Sequence, residues 1–555
     1  MTWINRLLPL FSICTCLYGR ELSVKDSYDA LFHSIGPVHA TLHINNLIRQ
    51  GAIGLTDPEK ARLTEIGLSV HGSEITVLKS TDLDQTLDTD HFRFYYTLDG
   101  SSNHAVENED YVTNMGAVFE EVWSFHIDSM GFDKPPMGPD DLYEVNIENL
   151  PSNYFGYAVA QGSGSSCNGY ISMRNSYTSN PFKALSETDN IKVTAVHEFF
   201  HAIQFGYNCY SIRNLSGDLW FMEATAVWSE DELYNGINDL YRYMPTWFSN
   251  PDQSINDQST HMYGTFILFQ YIDEHLGGPE TIKACWENSK NLAHPTQDVS
   301  FDAVDAALEP YNSSLEDAYI RMRIANQILS SSENAGVYSY EEADDYLTVV
   351  SPPPKEDYFF FEKGDIESID NYSLQLYESH YYSLSTETPV AISLTEVNGE
   401  FSFTSIVKII GTDQWIVKSG LEQNIDPEIG IEWITLIVSA LGENENDWDY
   451  SLSLSDGYSE DFTFYPPYPN PSKGQSVNFE FQVITEQTID FQIIDILGQV
   501  IWEFSSHYSK PEVITVTWDG KNQSGQGVAN GVYFGFMKGK SEQKVFKITY
   551  LKKSN

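Results

Sequence analysis

The run His91-Phe92-Arg93-Phe94-Tyr95-Tyr96-Thr97 alternates apolar and polar positions and is rich in strand formers, which predicts a strand opening a sheet. Over residues 112–125 the period lengthens. Met115, Val118, Phe119 and Val122 recur at helical spacing and Gly131 follows, predicting an amphipathic helix that backs the sheet. Residues 154–161 and 169–174 read as strands on either side of a Gly/Ser turn. A helix with Val193, Val196, Phe200 and Ile203 on its apolar side comes next, and Gly206 is placed to end it. A second helix covers residues 220–230, with Asp218 in the capping position and Trp220, Phe221 and Trp228 packing inward. Another opens at His261-Met262-Tyr263-Gly264-Thr265 and runs to Gly277-Gly278.

Ser351-Pro352-Pro353-Pro354 then punctuates the chain as a linker. Short strand-like runs follow at 381–384, 390–394, 404–410, 433–438 and 450–454 with polar turns between them, the pattern of a β-sandwich. It carries no metal or nucleophile constellation. From Tyr468-Pro469-Asn470-Pro471 onward a further set appears, at 477–483, 489–494, 495–500, 516–520 and 525–534. Each is closed by a Gly, Asn or Asp turn, and Trp518-Asp519-Gly520 requires φ > 0 at its glycine. The predicted architecture is an α+β body at 91–335 followed by two β-sandwiches at 355–457 and 465–555.

Composition narrows this picture. A length of 555 residues suits several domains, and 41% hydrophobic with 14% aromatic residues argues for folded cores. Against 79 acidic residues stand 31 Lys plus Arg, a net charge of −48 that repels nucleic acid and anionic membranes and keeps an exported protein soluble. Arg6 ahead of an apolar stretch at 7–18 predicts a signal peptide, residues 1–19, cleaved near Gly19. Cys14 and Cys16 lack the small residue that a lipoprotein site places before its cysteine. No later segment reads as an integral membrane helix. Residues 20–90 are mixed helical and polar, either a propeptide or an N-terminal extension. Among Cys167, Cys209 and Cys285 one disulfide can form at most, and Cys167 with Cys209 would bracket the helix that carries His197.

The chemistry sits in His197-Glu198-Phe199-Phe200-His201. At about 3.6 residues per turn the two imidazoles share one helical face and can each give a nitrogen to one metal ion, while Glu198, about 100° around, can take a proton from water. Two histidines satisfied by hydrogen bonds in a buried helix are the alternative. Glu223 on the next helix is the expected third ligand, because a carboxylate on an apolar face costs several kcal/mol to bury unless a cation meets it. Glu230, two turns on, either holds a histidine or is solvated.

The His197–His201 motif with the following Trp-x-x-Glu-x-x-Ala-x-Trp helix resembles gluzincin metallopeptidases. More narrowly, the region 91–330 resembles secreted bacterial metallopeptidases with a His-Glu-Phe-Phe-His-Ala-x-Gln-Phe helix. The resemblance implies a zincin-like fold and a Zn²⁺ held by His197, His201 and Glu223. It implies Glu198 as general base and Tyr263 as the oxyanion donor, with His261 in reserve. It also implies an edge strand in the 154–174 region that binds an extended peptide. Thermolysin-like gluzincins place an Asp four residues after the Glu ligand, where this chain has Val227. Residues from Tyr468-Pro469-Asn470-Pro471 to Lys552 and Lys553 resemble the C-terminal sorting domain of the type IX secretion system. That resemblance implies an Ig-like sandwich read by the outer-membrane export machinery and then removed, in a Gram-negative bacterium.

These features together predict a secreted zinc endopeptidase acting on a protein or peptide substrate, passed through the periplasm and outer membrane to the surface or medium. A non-catalytic adhesin that keeps the fold and a zinc hydrolase of a non-peptide bond are the alternatives. Endopeptidase is preferred to aminopeptidase because no acidic motif for a substrate α-amine is evident.

Overall fold

The computed structural model describes residues 22–552 apart from 34–38, 79, 139, 152, 163, 214–217, 443–447, 458–461, 511 and 541–542. The expected signal peptide, with Cys14, Cys16 and the cleavage position near Gly19, lies outside the described residues. Among the described residues no helix is long and apolar enough to cross a membrane.

The N-terminal segment forms α1 (Val24–His33), α2 (Thr41–Gln50), α3 (Asp57–Arg62) and a hairpin of β1 (Leu68–His71) with β2 (Glu74–Val77). A sheet of β3 (Gln85–Asp88), β4 (Phe92–Tyr96), β5 (Tyr143–Glu148), β6 (Gly156–Gln161) and β7 (Asn168–Arg174) follows, in the order β3-β4-β5-β7-β6. Strands β4, β5 and β7 run parallel, and β3 and β6 pair antiparallel at the two edges. The strand expected to open the sheet is therefore one in from the edge. Strand β3 precedes it and escapes notice because Gln-Thr-Leu-Asp buries no side chain fully and shows no alternation of polarity.

Helix α4 (Glu109–Trp123) lies on this sheet. Asn108 accepts a hydrogen bond from the Tyr111 amide to cap it, and Met115, Val118, Phe119 and Val122 are buried as their spacing predicts. Helix α5 (Glu187–Tyr207) is capped by Ser186, which accepts from the Asp189 amide, and acidic Glu187 and Asp189 favour its positive end. It passes between β6, β7, α4 and α7 (Leu219–Tyr234), so nearly all of its faces are buried. It runs past Gly206 to Tyr207, and the ending expected at the glycine falls to Asn208. Short α6 (Cys209–Arg213) follows, and Cys209 is bonded to Cys167.

Helix α7 is buried around most of its circumference. Full burial of Leu219, Phe221, Met222 and Val227 stabilises the body by about 1.5–3 kcal/mol each. Asp218 occupies its N-cap position in a helical conformation that turns the side chain away from the helix end, so its carboxylate caps nothing and accepts from Ser211 instead. Beyond α8 (Met244–Ser249), the single helix expected from His261 is two: α9 (His261–Gly264) and α10 (Phe266–His275). The break falls at Thr265, whose hydroxyl donates to the carbonyls of Ile255 and His261.

The body extends past residue 335, because Tyr340, Ala343 and Tyr346 lie in its core. The Pro-rich stretch is no free tether, since Pro353 is buried and Lys355 donates to Gln327. The middle unit packs a five-stranded sheet on a four-stranded one around a single apolar core. It joins the body through the Tyr381 hydroxyl, which donates to the Arg323 carbonyl, and through a cluster of Ile324, Ile328, Ile406, Trp415 and Ile437.

The C-terminal unit pairs a three-stranded with a four-stranded sheet over its own core. Strand Val477–Val483 alternates buried and half-buried positions, and Gly520 takes φ +72° as its turn requires. Residues 495–499 form a turn rather than a strand, because the Asp495 carboxylate accepts the amides of Leu497 and Gln499. In the expected run 525–534 the strand begins only at Gly531.

Candidate metal centre

Helices α5 and α7 pack so that His197, His201 and Glu223 meet in a fully buried cluster. His197 Nε2 lies 3.1 Å from Glu223 Oε2 and 3.2 Å from His201 Nε2, and His201 Nε2 lies 3.5 Å from Glu223 Oε1. The other ring nitrogens are held from behind. His197 Nδ1 is 2.7 Å from Glu230 Oε1, and His201 Nδ1 is 2.7 Å from Gln204 Oε1. Gln204 cannot turn its amine toward the ring, because Nε2 donates to the Met222 carbonyl and the Thr225 hydroxyl. Both imidazoles therefore carry a proton on Nδ1, and both Nε2 lone pairs face the Glu223 carboxylate.

Such a convergence of acceptors in a dry core requires positive charge. Burial works against charge on His197, yet hydrogen bonds and charge from Glu223 and Glu230 outweigh it and push the His197 pKa up to about 10. Burial also works against the Glu223 carboxylate, but the two histidines hold its pKa down to about 2. One proton on His197 Nε2 satisfies a single pair and leaves Glu223 Oε1 without a hydrogen-bond partner. One divalent cation would meet all three side chains, whose ligand atoms lie within 4.8 Å of one another. Two imidazoles and a carboxylate make a donor set that fits such an ion.

Glu230 is buried and bonded to His197, which selects between its two expected roles. It lies seven residues after Glu223, two turns along α7, and Val227 between them is fully buried and apolar. Glu198 is fully buried, and that burial raises its pKa while His197 and His201 pull it down. Its Oε2 accepts from the Thr41 hydroxyl at 2.5 Å, and Oε1 lies 3.7 Å from His39 Nδ1. Gly156 lets β6 come this close to α5, because a Cβ there would sit 2.8 Å from Thr194 Cγ2 and 3.4 Å from Glu198 Cγ.

Tyr263 borders the cluster. Its hydroxyl is buried and has no hydrogen-bond partner among the described residues, and burial followed by the charge of Glu223 raises its pKa well above the ordinary value. His261, the expected reserve donor, stacks its ring on Trp247 at 4.5 Å, and burial followed by the charge of Arg323 drops its pKa to about 3.

Four residues near the site carried no signal in the sequence, His39, Thr41, Arg242 and Tyr243, while Gln204 stood in the quoted motif without a role. Arg242 donates to His39 Nε2 and to the Tyr243 hydroxyl, and the Tyr243 ring stacks on Tyr263 at 4.9 Å. Gln204 stands three residues after His201, a helical turn away, and that spacing could have revealed it. The others come from distant segments without a motif.

Residues 89–301 match a family of unknown function, DUF6055. Residues 467–550 match the secretion system C-terminal sorting domain. The C-terminal unit is a type IX sorting domain. It addresses the protein through type IX secretion to the cell surface or beyond it. No curated protein matches the chain. Among solved structures, similarity extends to a putative beta-galactosidase from Bacteroides fragilis at 11% identity, covering 29% of this chain and 30% of that one, TM-score 0.15. It extends to dimeric latent PorU from Porphyromonas gingivalis at 15% identity, 34% and 20% coverage, TM-score 0.16. It extends also to a Parabacteroides merdae beta-glucuronidase at 7% identity, 31% and 27% coverage, TM-score 0.15. The chain spans less than a third of the length of each, and likenesses this slight bear on neither its fold nor its activity.

Proposed function

We propose that the body is a zinc-dependent endopeptidase. The observation that supports this reading is the convergence of His197 Nε2, His201 Nε2 and the Glu223 carboxylate, each imidazole fixed from behind by its own acceptor. His197, His201 and Glu223 would hold Zn²⁺, which supplies a Lewis acid that makes water a nucleophile near neutral pH. Glu230 and Gln204 keep the two rings in the tautomer that presents Nε2. Glu198, its pKa raised by burial, accepts the proton of the attacking water and returns it to the leaving amine. The Tyr263 hydroxyl, buried and without a partner, is the donor for the developing oxyanion.

The test separates binding from chemistry. Glu198→Gln leaves the three ligands in place but cannot accept a proton. It is expected to retain bound zinc and, in a preparation in which the wild-type protein hydrolyses an unfolded protein substrate, to lower that hydrolysis by about 10²- to 10⁴-fold. Activity equal to wild type would remove Glu198 from the mechanism.

A further inference from the structure

The edge strand of the body is already occupied. Strand β6 pairs with β7 on one side only, and its outer side is covered by α2 of the N-terminal segment. The contact is made by side chains that imitate a peptide. The Asn45 carboxamide accepts from the Ala160 amide at 3.1 Å and donates to the Ala158 carbonyl at 2.8 Å, and Thr41 Oγ1 accepts from the Ala158 amide at 2.8 Å. The backbone groups that an incoming extended chain would use are thereby satisfied.

The same turn of chain reaches the reacting groups. Thr41 bridges from β6 to Glu198 Oε2 with the hydroxyl that also accepts from Ala158. His39 lies between the His197 ring at 3.8 Å and the Phe155 ring at 5.0 Å, with its Nε2 accepting from Arg242. From the opposite wall, Gln258 Oε1 accepts the Leu22 amide. The segment thus crosses the cleft from β6 to the residues around Gln258 and fills the space beside Glu198. It brings its own apolar cluster, with Tyr28, Leu31, Ile44, Leu47 and Leu63 packed onto Tyr154, Tyr157 and Val159 of the β6 region. The link from this segment to β3 is an irregular, largely exposed stretch at 81–84, and the family match begins only at residue 89.

We propose that residues 22–77 are an inhibitory prosegment that holds the metal site closed until the chain is cut at 81–84. This rests on the reading of the site as a metallopeptidase. Activation is hydrolysis of one peptide bond by an endopeptidase, one water giving a new carboxylate on the segment and a new amine on the body. Release of the segment frees Ala158 and Ala160 for substrate and Glu198 Oε2 for water. The arrangement keeps the enzyme latent during export.

The test uses the full chain with the recognition sequence of a specific protease placed at 81–84, loaded with zinc, before and after cutting and washing. A second, uncut protein carries Thr41→Ala with Asn45→Ala, which loosens the cover without touching the metal ligands. Three quantities are measured: the rate at which 1,10-phenanthroline strips zinc, amide exchange at Ala158 and Ala160, and hydrolysis of an unfolded protein. Cutting and the double substitution are each expected to speed stripping and exchange by about tenfold or more, in proportion to the population of the open site. Hydrolysis appears with them. Faster stripping and exchange without hydrolysis supports the cover and removes the peptidase reading. An uncut chain as active as the cut one overturns the cover and leaves that reading standing. Stripping and exchange unchanged in both proteins also overturn it.

Discussion

Glu230 shows how one hydrogen bond sets the chemistry of a neighbour. Its carboxylate at 2.7 Å keeps the His197 proton on Nδ1, so the lone pair on Nε2 points toward Glu223. Glu230→Gln keeps an acceptor of the same shape but removes the charge that makes the ring a stronger ligand. Zinc affinity, read by competition with a chromophoric chelator, is expected to fall by about 10- to 100-fold while the fold persists. Unchanged affinity would show that the contact positions nothing. The ligand pair and Glu223 were legible because helical spacing alone brings i and i+4 together and because a lone carboxylate on an apolar helix needs a reason. Gln204 stood inside its motif without an assigned role. Thr41 and His39 were not legible at all, since nothing in their local sequence indicates that they fold back onto Glu198 across more than 150 positions.

Among the elements, α7 carries two opposed demands. Its first half presents Glu223 to the histidines, and its second half drives Asp231 and Glu232 against Asp273 and Glu274 of α10. Burial first, then the charges of Glu342 and Glu274, lift the Asp231 pKa to about 8. A carboxyl raised in the folded state stabilises the protein fully below its unfolded pKa near 4, and that contribution is lost as pH rises through 8. Asp231→Asn, neutral throughout, should therefore gain on wild type as pH rises from about 5 to 9, by a few kcal/mol of denaturant stability. A stability difference independent of pH would show that Asp231 ionises freely in the fold. Helices α4, α5 and α7 were legible because their apolar positions follow a helical period over many residues. Strand β3 and the ends of α5 and α7 were not. Single positions such as Gly206 and Asp218 adopt conformations that tertiary packing chooses, and local preference does not fix them.

On the scale of the whole molecule, a body with a buried cluster is followed by two β-sandwich units, the last a sorting domain. Deleting residues from 465 onward removes the export address and leaves the body's core intact, so the truncated protein is expected to stay in the periplasm with its hydrolytic activity unchanged after activation. Its appearance in the medium, checked by fractionation, would contradict that assignment. Both sandwiches were readable as alternating strands, whereas the packing of the middle one onto the body was not, because contacts such as Tyr381 with Arg323 join segments that share no local pattern. Everything proposed for the body depends on His197, His201 and Glu223 binding a metal ion, which elemental analysis of the folded full chain after equilibration with zinc reads without an activity assay. About one zinc per chain is expected, lost in Glu223→Ala. A folded wild-type protein with no bound zinc, or a Glu223→Ala protein with undiminished zinc, would contradict it.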